Sequence, residues 1–339
     1  MQDVRSAPVS RSARLGSIGL GWWGGVLAKA AASTESTVVA GCFARSSSAR
    51  ESFAATHSCE PYDSLEGLLA SDLDGVLIAT PHTTHADLIV EAAGAGKHVF
   101  VDKPLALTTA DADRAIAVVE AAGVALQVGH NRRRQPANRR LAQLIRGGEL
   151  GDLVELTAVH HAPLLLNPSL APWRRKREES PAGGMTALGV HQVDTFHYLA
   201  GPITKVVAVS ERNLPHEEVD SVTMVDLVFA SGVVGHLSTS MATGPVVDVT
   251  VHGTRAIARN RQDGARLTIQ ESGTMEEVDQ KLDDLDTIAD ELNEFGRVVA
   301  GEAVPETGAT EGRAAVAVME AIVASLDGGG WATVDYGRP

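Results

Sequence analysis

Cysteine is nearly absent: among 339 residues only Cys42 and Cys59 occur. Neither has metal-like spacing, and two thiols make no disulfide framework, so a disulfide- or zinc-stapled scaffold is not expected. Reduced thiols in a cytoplasmic setting are the simplest reading. Basic residues are also short, with 29 Lys and Arg against 43 Asp and Glu, a formal charge of −14. Such a field repels phosphate backbones and anionic lipid, which argues against nucleic acid or a membrane as partner. The local basic run Arg132-Arg133-Arg134, with Arg139-Arg140, reads as a solvated turn and helix face. No apolar run is long enough to span a bilayer. Residues 1–13 are rich in Ser and Arg without an apolar stretch, and read as a disordered tail rather than a signal peptide. Repeats and low-complexity segments are lacking too.

What the chain does have is alternation. Short apolar runs at Ala13–Ile18, Val38–Phe43, Gly75–Thr80, His98–Val101 and Ala125–Gly129 alternate with helical patterns at Trp22–Ala32, Ser46–His57, Ala86–Ala95 and Thr109–Ala121. That order signals an α/β unit, a parallel sheet wrapped by helices, over residues 14–133. From about Pro136 the character changes. After a helix through Ile145, alternating segments at Leu153–His161, Ile203–Glu211, Ser221–Phe229, Gly232–Met241, Val246–Gly253 and Ala265–Gln270 imply a large, mostly antiparallel sheet. Helices are expected at Leu188–Leu199, Asp286–Ala300 and Glu311–Leu326. The second domain is thus 134–339, with the last helix free to pack back on the first. Between its first two strands runs a long proline-containing segment, Ala162–Gly184, and loops of this length are often functional.

Gly19-Leu20-Gly21-Trp22-Trp23-Gly24 sits between the first strand and the first helix. In that context a Gly-x-Gly-x-x-Gly is a dinucleotide-binding signal. Gly19 permits the tight turn, Gly21 lets backbone approach a pyrophosphate, and Gly24 allows close helix–strand packing. The N–H groups at Trp22, Trp23 and Gly24 face the phosphates at a positive dipole end. After the second strand, NAD binders usually place a carboxylate. Here Phe43-Ala44-Arg45-Ser46 has none, and Arg45 with Ser46 suits a 2′-phosphate, so NADP is expected ahead of NAD.

These residues, with Thr80-Pro81-His82 and His85, Asp102-Lys103-Pro104, and Gly183-Gly184 followed by Gly189-Val190-His191-Gln192-Val193-Asp194, resemble the Gfo/Idh/MocA oxidoreductases. The likeness runs from about Arg14 to Tyr336. It implies a Rossmann-like first domain and a C-terminal α/β domain whose open sheet supports homodimers or homotetramers. It also implies nicotinamide contacts at Thr80, Pro81, His82 and His85, and a cis Lys103-Pro104 bond that aims Lys103 inward.

Lys103 follows a parallel strand, where an ammonium can stabilise a developing alkoxide. His191 is the natural acid/base, having an ordinary pKa near neutrality. Asp194, at i+3, shares its helix face and can orient the ring or contact substrate. One departure stands out: many members carry Asp four residues before this His, and here that place is Ala187. Asn131, Trp173 and Arg174 are candidate substrate contacts, Trp173 for a sugar face and Arg174 for a polar group. His130 and Arg132 can line the same pocket. His160 and His161 point to opposite faces of a strand and make no chelating pair, and no metal site is expected. His197 reads as structural.

The expected function is an NAD(P)-dependent oxidoreductase acting on a secondary alcohol or lactol of a sugar, polyol or similar cyclic substrate. Two alternatives stand beside it. One is a glycosidase or sugar–sugar oxidoreductase with tightly bound nicotinamide, and the other is a non-catalytic cofactor sensor.

Overall fold

The computed structural model describes residues 11–337. The first unit runs β1 (Ala13–Ile18), α1 (Trp22–Ala31), β2 (Thr37–Phe43), α2 (Ser47–His57), β3 (Glu60–Pro61), α3 (Leu65–Ala70), β4 (Gly75–Ile78), α4 (His85–Gly94), β5 (His98–Val101), α5 (Thr109–Ala122) and β6 (Leu126–Val128). Its six strands lie in the order β3-β2-β1-β4-β5-β6 and all pair in parallel. Strands covered on both faces need side chains apolar throughout, and all four residues of β4 are buried. The order reverses between β1 and β4, which opens a crevice at the carboxyl ends of the strands. The pair β3 and α3 has no sequence signal, because two and six residues show no period.

The expected tail ends earlier than residue 13. Arg11 pairs with Asp74 at 2.8 Å, Ser12 donates to the Glu35 carbonyl, and Ala13 opens β1. Met1–Ser10 lie outside the described residues.

The second unit contains α6 (Pro136–Arg146), β7 (Leu153–His161), α7 (Val190–Ala200), β8 (Ile203–Glu211), β9 (Val222–Phe229), β10 (Val234–Ser240), β11 (Val246–Gly253), β12 (Ala256–Arg261), β13 (Arg266–Glu271), β14 (Val278–Gln280), α8 (Thr287–Val299), α9 (Ala309–Gly328) and β15 (Ala332–Thr333). Nine strands form one sheet, β14-β13-β12-β11-β7-β10-β9-β8-β15, antiparallel except for the β7–β10 pair. One face buries Leu156, Ala158, Leu227 and Leu237 with Leu141, Val193, Phe196 and Val318 from α6, α7 and α9. Val154, Val209, Met224 and Val234 are exposed. Strand β12 went unread because its buried side is Ala256, Ala258 and Asn260, small or polar residues that mark no apolar stripe.

The two C-terminal helices tie the units together. Leu292 and Phe295 of α8 sit in the core around α1 and β1, with Phe295 edge-on to Phe100 at 5.8 Å. By packing, α8 therefore belongs with the first unit, which corrects a simple division at residue 134. Helix α9 serves both, as Val316 joins the core of β4, β5 and β6 while Val318 and Ile322 join that of the second sheet.

Candidate active site

At the β1–α1 turn, Gly19 has φ +92°, which favours glycine. A Cβ on Gly24 would lie 2.1 Å from the Gly19 carbonyl oxygen, so only a glycine lets α1 approach β1 this closely. A Cβ on Gly21 would meet nothing within 4 Å. That side of the turn is open, which fits a phosphate group resting on backbone. Helix α1 has no side-chain cap, leaving its first N–H groups to face that space. Trp22 is 79% exposed and Trp23 half-buried beside it.

Past β2, Arg45 is exposed and Ser46 caps α2 by accepting from Ala49 N–H at 3.3 Å. The Thr80 and Thr84 hydroxyls bond each other at 2.7 Å, beside a half-buried Pro81. Of the two histidines that follow, His85 has both ring nitrogens on backbone carbonyls and His82 one, its Nε2 having no partner among the described residues. His85 places its ring nitrogens on the carbonyls of Pro104 and Thr80, at 2.8 and 3.1 Å, and is fully buried. Its observed work is to pin the turn after β5. His82 places Nδ1 on the Glu179 carbonyl at 2.7 Å.

Asp102-Lys103-Pro104 follows β5, with a cis bond between Lys103 and Pro104. Lys103 is buried, and its Nζ donates to the Ala187 carbonyl oxygen at 2.8 Å. Burial lowers its pKa to about 8, against the pull of Asp102, and Arg174 and Arg132 add to the lowering. Ala187 lies in a π-helical turn, Met185–Gly189, that leads straight into α7 and hence to His191. Packing is close here, since a Cβ on Gly189 would displace the Met185 side chain.

His191 is buried, and its Nδ1 has no hydrogen-bond partner among the described residues. Burial, then the Lys103 and Arg132 charges, hold its pKa well below 6.5, so the ring is neutral. Two further imidazoles join it. His160 lies with its ring centroid 5.9 Å from that of His191, and His130 is buried with neither nitrogen partnered among the described residues. Desolvation depresses both. His160 shares the core face of Leu156 and Ala158, so strand alternation already pointed to it.

Two substrate candidates are drawn away from this point. Asp194 is 1% exposed and takes a bidentate pair from Arg133, at 3.1 and 2.5 Å. Orienting Arg133 is its observed work. Asn131 donates to the Thr287 hydroxyl at 2.9 Å, at the start of α8. The basic run is likewise not solvated. Arg133 and Arg134 are buried, and Arg134 pairs with Asp290 at 2.8 Å and with Glu294. Arg132 pairs with Asp263 and Arg139 with Glu306. Carboxylates from distant elements neutralise these guanidiniums, which is what permits their burial.

The long segment 162–184 forms a strap across the crevice. Trp173 in its 3₁₀ turn Pro172–Arg175 packs edge-on to His82 at 5.1 Å, and Arg174 lies over the indole at 4.3 Å. Glu179 accepts from Thr83 N–H at 3.0 Å and from its hydroxyl at 2.6 Å. Among the described residues no group of three or more His, Cys, Asp and Glu side chains is placed to hold a metal ion, and no helix is long and apolar enough to cross a membrane.

Residues 13–130 match the model of an oxidoreductase family with an NAD-binding Rossmann fold, and residues 138–259 match the Gfo/Idh/MocA C-terminal domain. The chain belongs to the Gfo/Idh/MocA oxidoreductases. This makes it an NAD-binding-fold oxidoreductase of the sugar and polyol dehydrogenase type, acting on CH–OH groups. It is 27% identical over 272 residues to 1,5-anhydro-D-fructose reductase of Ensifer adhaerens, covering 78% of this chain and 81% of that one. Inositol 2-dehydrogenase of Rhizobium meliloti is 29% identical over 267 residues, covering 76% and 78%. Among solved structures, one from Desulfitobacterium hafniense, named as a conjectural NADPH-dependent oxidoreductase, aligns with a TM-score of 0.91 at 27% identity over 96% of this chain and 98% of that one. Levoglucosan dehydrogenase in complex with NADH and levoglucosan aligns with a TM-score of 0.88 at 21% identity, over 96% and 100%, a likeness of fold.

Proposed function

We propose that this protein is an NADP-linked dehydrogenase that oxidises a secondary alcohol or lactol of a sugar, polyol or similar cyclic substrate, and reduces the corresponding carbonyl in reverse. The observation that carries the reading is the Lys103 Nζ bond to the Ala187 carbonyl at 2.8 Å, which brings the ammonium at the end of β5 one helical turn from His191. When bound, the nicotinamide supplies the two-electron acceptor or donor. The backbone of Gly19, Gly21 and Gly24 and the start of α1 would hold the pyrophosphate. Neutral His191 takes the hydroxyl proton. Lys103 donates to the same oxygen and stabilises the charge that develops on it. Trp173 roofs the site and limits water. Incubating the protein with NADP⁺ or NAD⁺ and a panel of sugars, inositols and cyclic alcohols tests this by absorbance of the reduced nicotinamide. A panel inert in both directions sinks it.

The preference for NADP is supported by an exposed Arg45, a helix N-terminus capped by Ser46, and no carboxylate in Phe43-Ala44-Arg45-Ser46. Arg45→Ala is expected to lower the NADP⁺-to-NAD⁺ affinity ratio about tenfold or more. Titration of both cofactors checks it, and an unchanged ratio overturns the preference. A homodimer or homotetramer formed through the second sheet is supported by its exposed Val209, Met224 and Val234. Met224→Glu is expected to yield a smaller species in light scattering.

A further inference from the structure

We propose that the substrate carries a carboxylate and that the Arg174 guanidinium receives it, an inference that rests on the dehydrogenase reading and adds the substrate class. Arg174 stands on the strap, its guanidinium carbon 4.3 Å from the centroid of the Trp173 ring. The Trp173 ring is itself braced by His82. A stacked guanidinium is already ordered, so it loses little freedom on meeting a planar ligand. Its nitrogens find no acceptor among the described residues, although the side chain is half-buried. Its charge bears on Lys103, and both charges bear on His82, so two cations border one site.

The carboxylates around them are mostly engaged. Glu179 uses both oxygens on Thr83, Asp194 is held by Arg133, and Asp263 by Arg132. Asp102, next to Lys103 in the chain, bears on both cations, and Glu179 keeps its charge toward Arg174, yet neither carboxylate bonds the guanidinium. On the facing wall the further charge is Arg132, which Asp263 holds. Ala187 packs with Leu165, Leu188, Val219 and Met241, and burial keeps His130, His160 and His191 neutral. A neutral sugar would leave the Arg174 fork desolvated without an acceptor, whereas a carboxylate satisfies it through two parallel bonds. Aspartate at position 187 would repel such a group, so the alanine and the arginine are chemically consistent with each other.

Calorimetry on the protein saturated with NADP⁺ tests this with matched pairs: D-glucuronate against D-glucose, D-galacturonate against D-galactose, and D-gluconate against D-glucitol. The acid member of at least one pair is expected to bind about tenfold more tightly. Arg174→Met should bring that ratio near one, Arg174→Lys should keep part of it, and Ala187→Asp should weaken the acid more than its neutral partner. Thermal melts verify that each variant is folded. Equal or tighter binding of the neutral member in every pair overturns the proposal, as does a loss in Arg174→Met that is the same for both members. Arg174-dependent binding of an acid without turnover of any alcohol would sink the dehydrogenase reading and leave this one. Turnover of neutral alcohols with no preference for acids would do the reverse.

Discussion

Lys103 is an amine at the end of a buried strand, and its chemistry follows from that address. Desolvation lowers its pKa from 10.5 to about 8, so a large part of its proton affinity is lost within the ordinary assay range. Carbonyl reduction that depends on the ammonium should therefore fall as pH rises through about 8, and not near 10.5 as for an exposed lysine. A rate profile that stays flat from pH 7 to 10 would contradict this. Lys103→Met is expected to lower kcat/KM by roughly 10²–10³, the usual cost of removing a donor to a developing oxyanion, and steady-state kinetics would measure it. At this scale much was legible beforehand. The tight turn at Gly19 and Gly24 and the burial of Lys103 after β5 follow from local backbone and strand-end position, which sequence order reports directly. The commitment of His85 to two carbonyls was not, since the Pro104 carbonyl comes from a turn 19 residues away.

Helix α7 meets the turn after β6 through the Arg133–Asp194 pair, both ends of which are buried. Removing one partner strands a charge in the interior, so Arg133→Met should cost about 3–5 kcal/mol. The double variant Arg133→Met with Asp194→Leu should recover much of that loss, and urea unfolding of both proteins decides it. The same elements explain why the arginine run was misread. Arg134 is paired by Asp290 and Glu294, roughly 160 residues away in the chain, and a window around residue 134 contains neither. Its burial is a property of where α8 docks. By contrast β7 declared its faces by alternation, which is why His160 and His161 were separated correctly from the start.

For the molecule as a whole, buried imidazoles set the pH response. Eight histidines, His82, His85, His98, His130, His160, His161, His191 and His197, have pKa values lowered by burial. Below about 6.5 the unfolded chain binds protons that the folded one refuses, each tilting stability by at most about 1.4 kcal/mol per pH unit. Glu291, raised by burial, acts in the opposite sense as a single group. Stability should therefore fall steeply from pH 6.5 toward 5, visible as a falling urea midpoint, and a constant midpoint would refute it. The two-sheet architecture was readable because period and order distinguish parallel from antiparallel strands. The return of α8 to the first unit was not, because nothing in Thr287–Val299 says which of two apolar surfaces it will cover.

Four tryptophans serve the chain, and their placement has an optical consequence. Trp22 and Trp23 frame the glycine turn, 5.5 Å apart, and Trp173 roofs the crevice beside His82. Trp331 stands apart against Lys205, next to β15. Three indoles thus border the crevice while the fourth serves as a built-in reference. Ultraviolet emission from the first three should be quenched by a neighbouring reduced nicotinamide, with sensitised blue light in return, so the unlabelled protein reports its own occupancy.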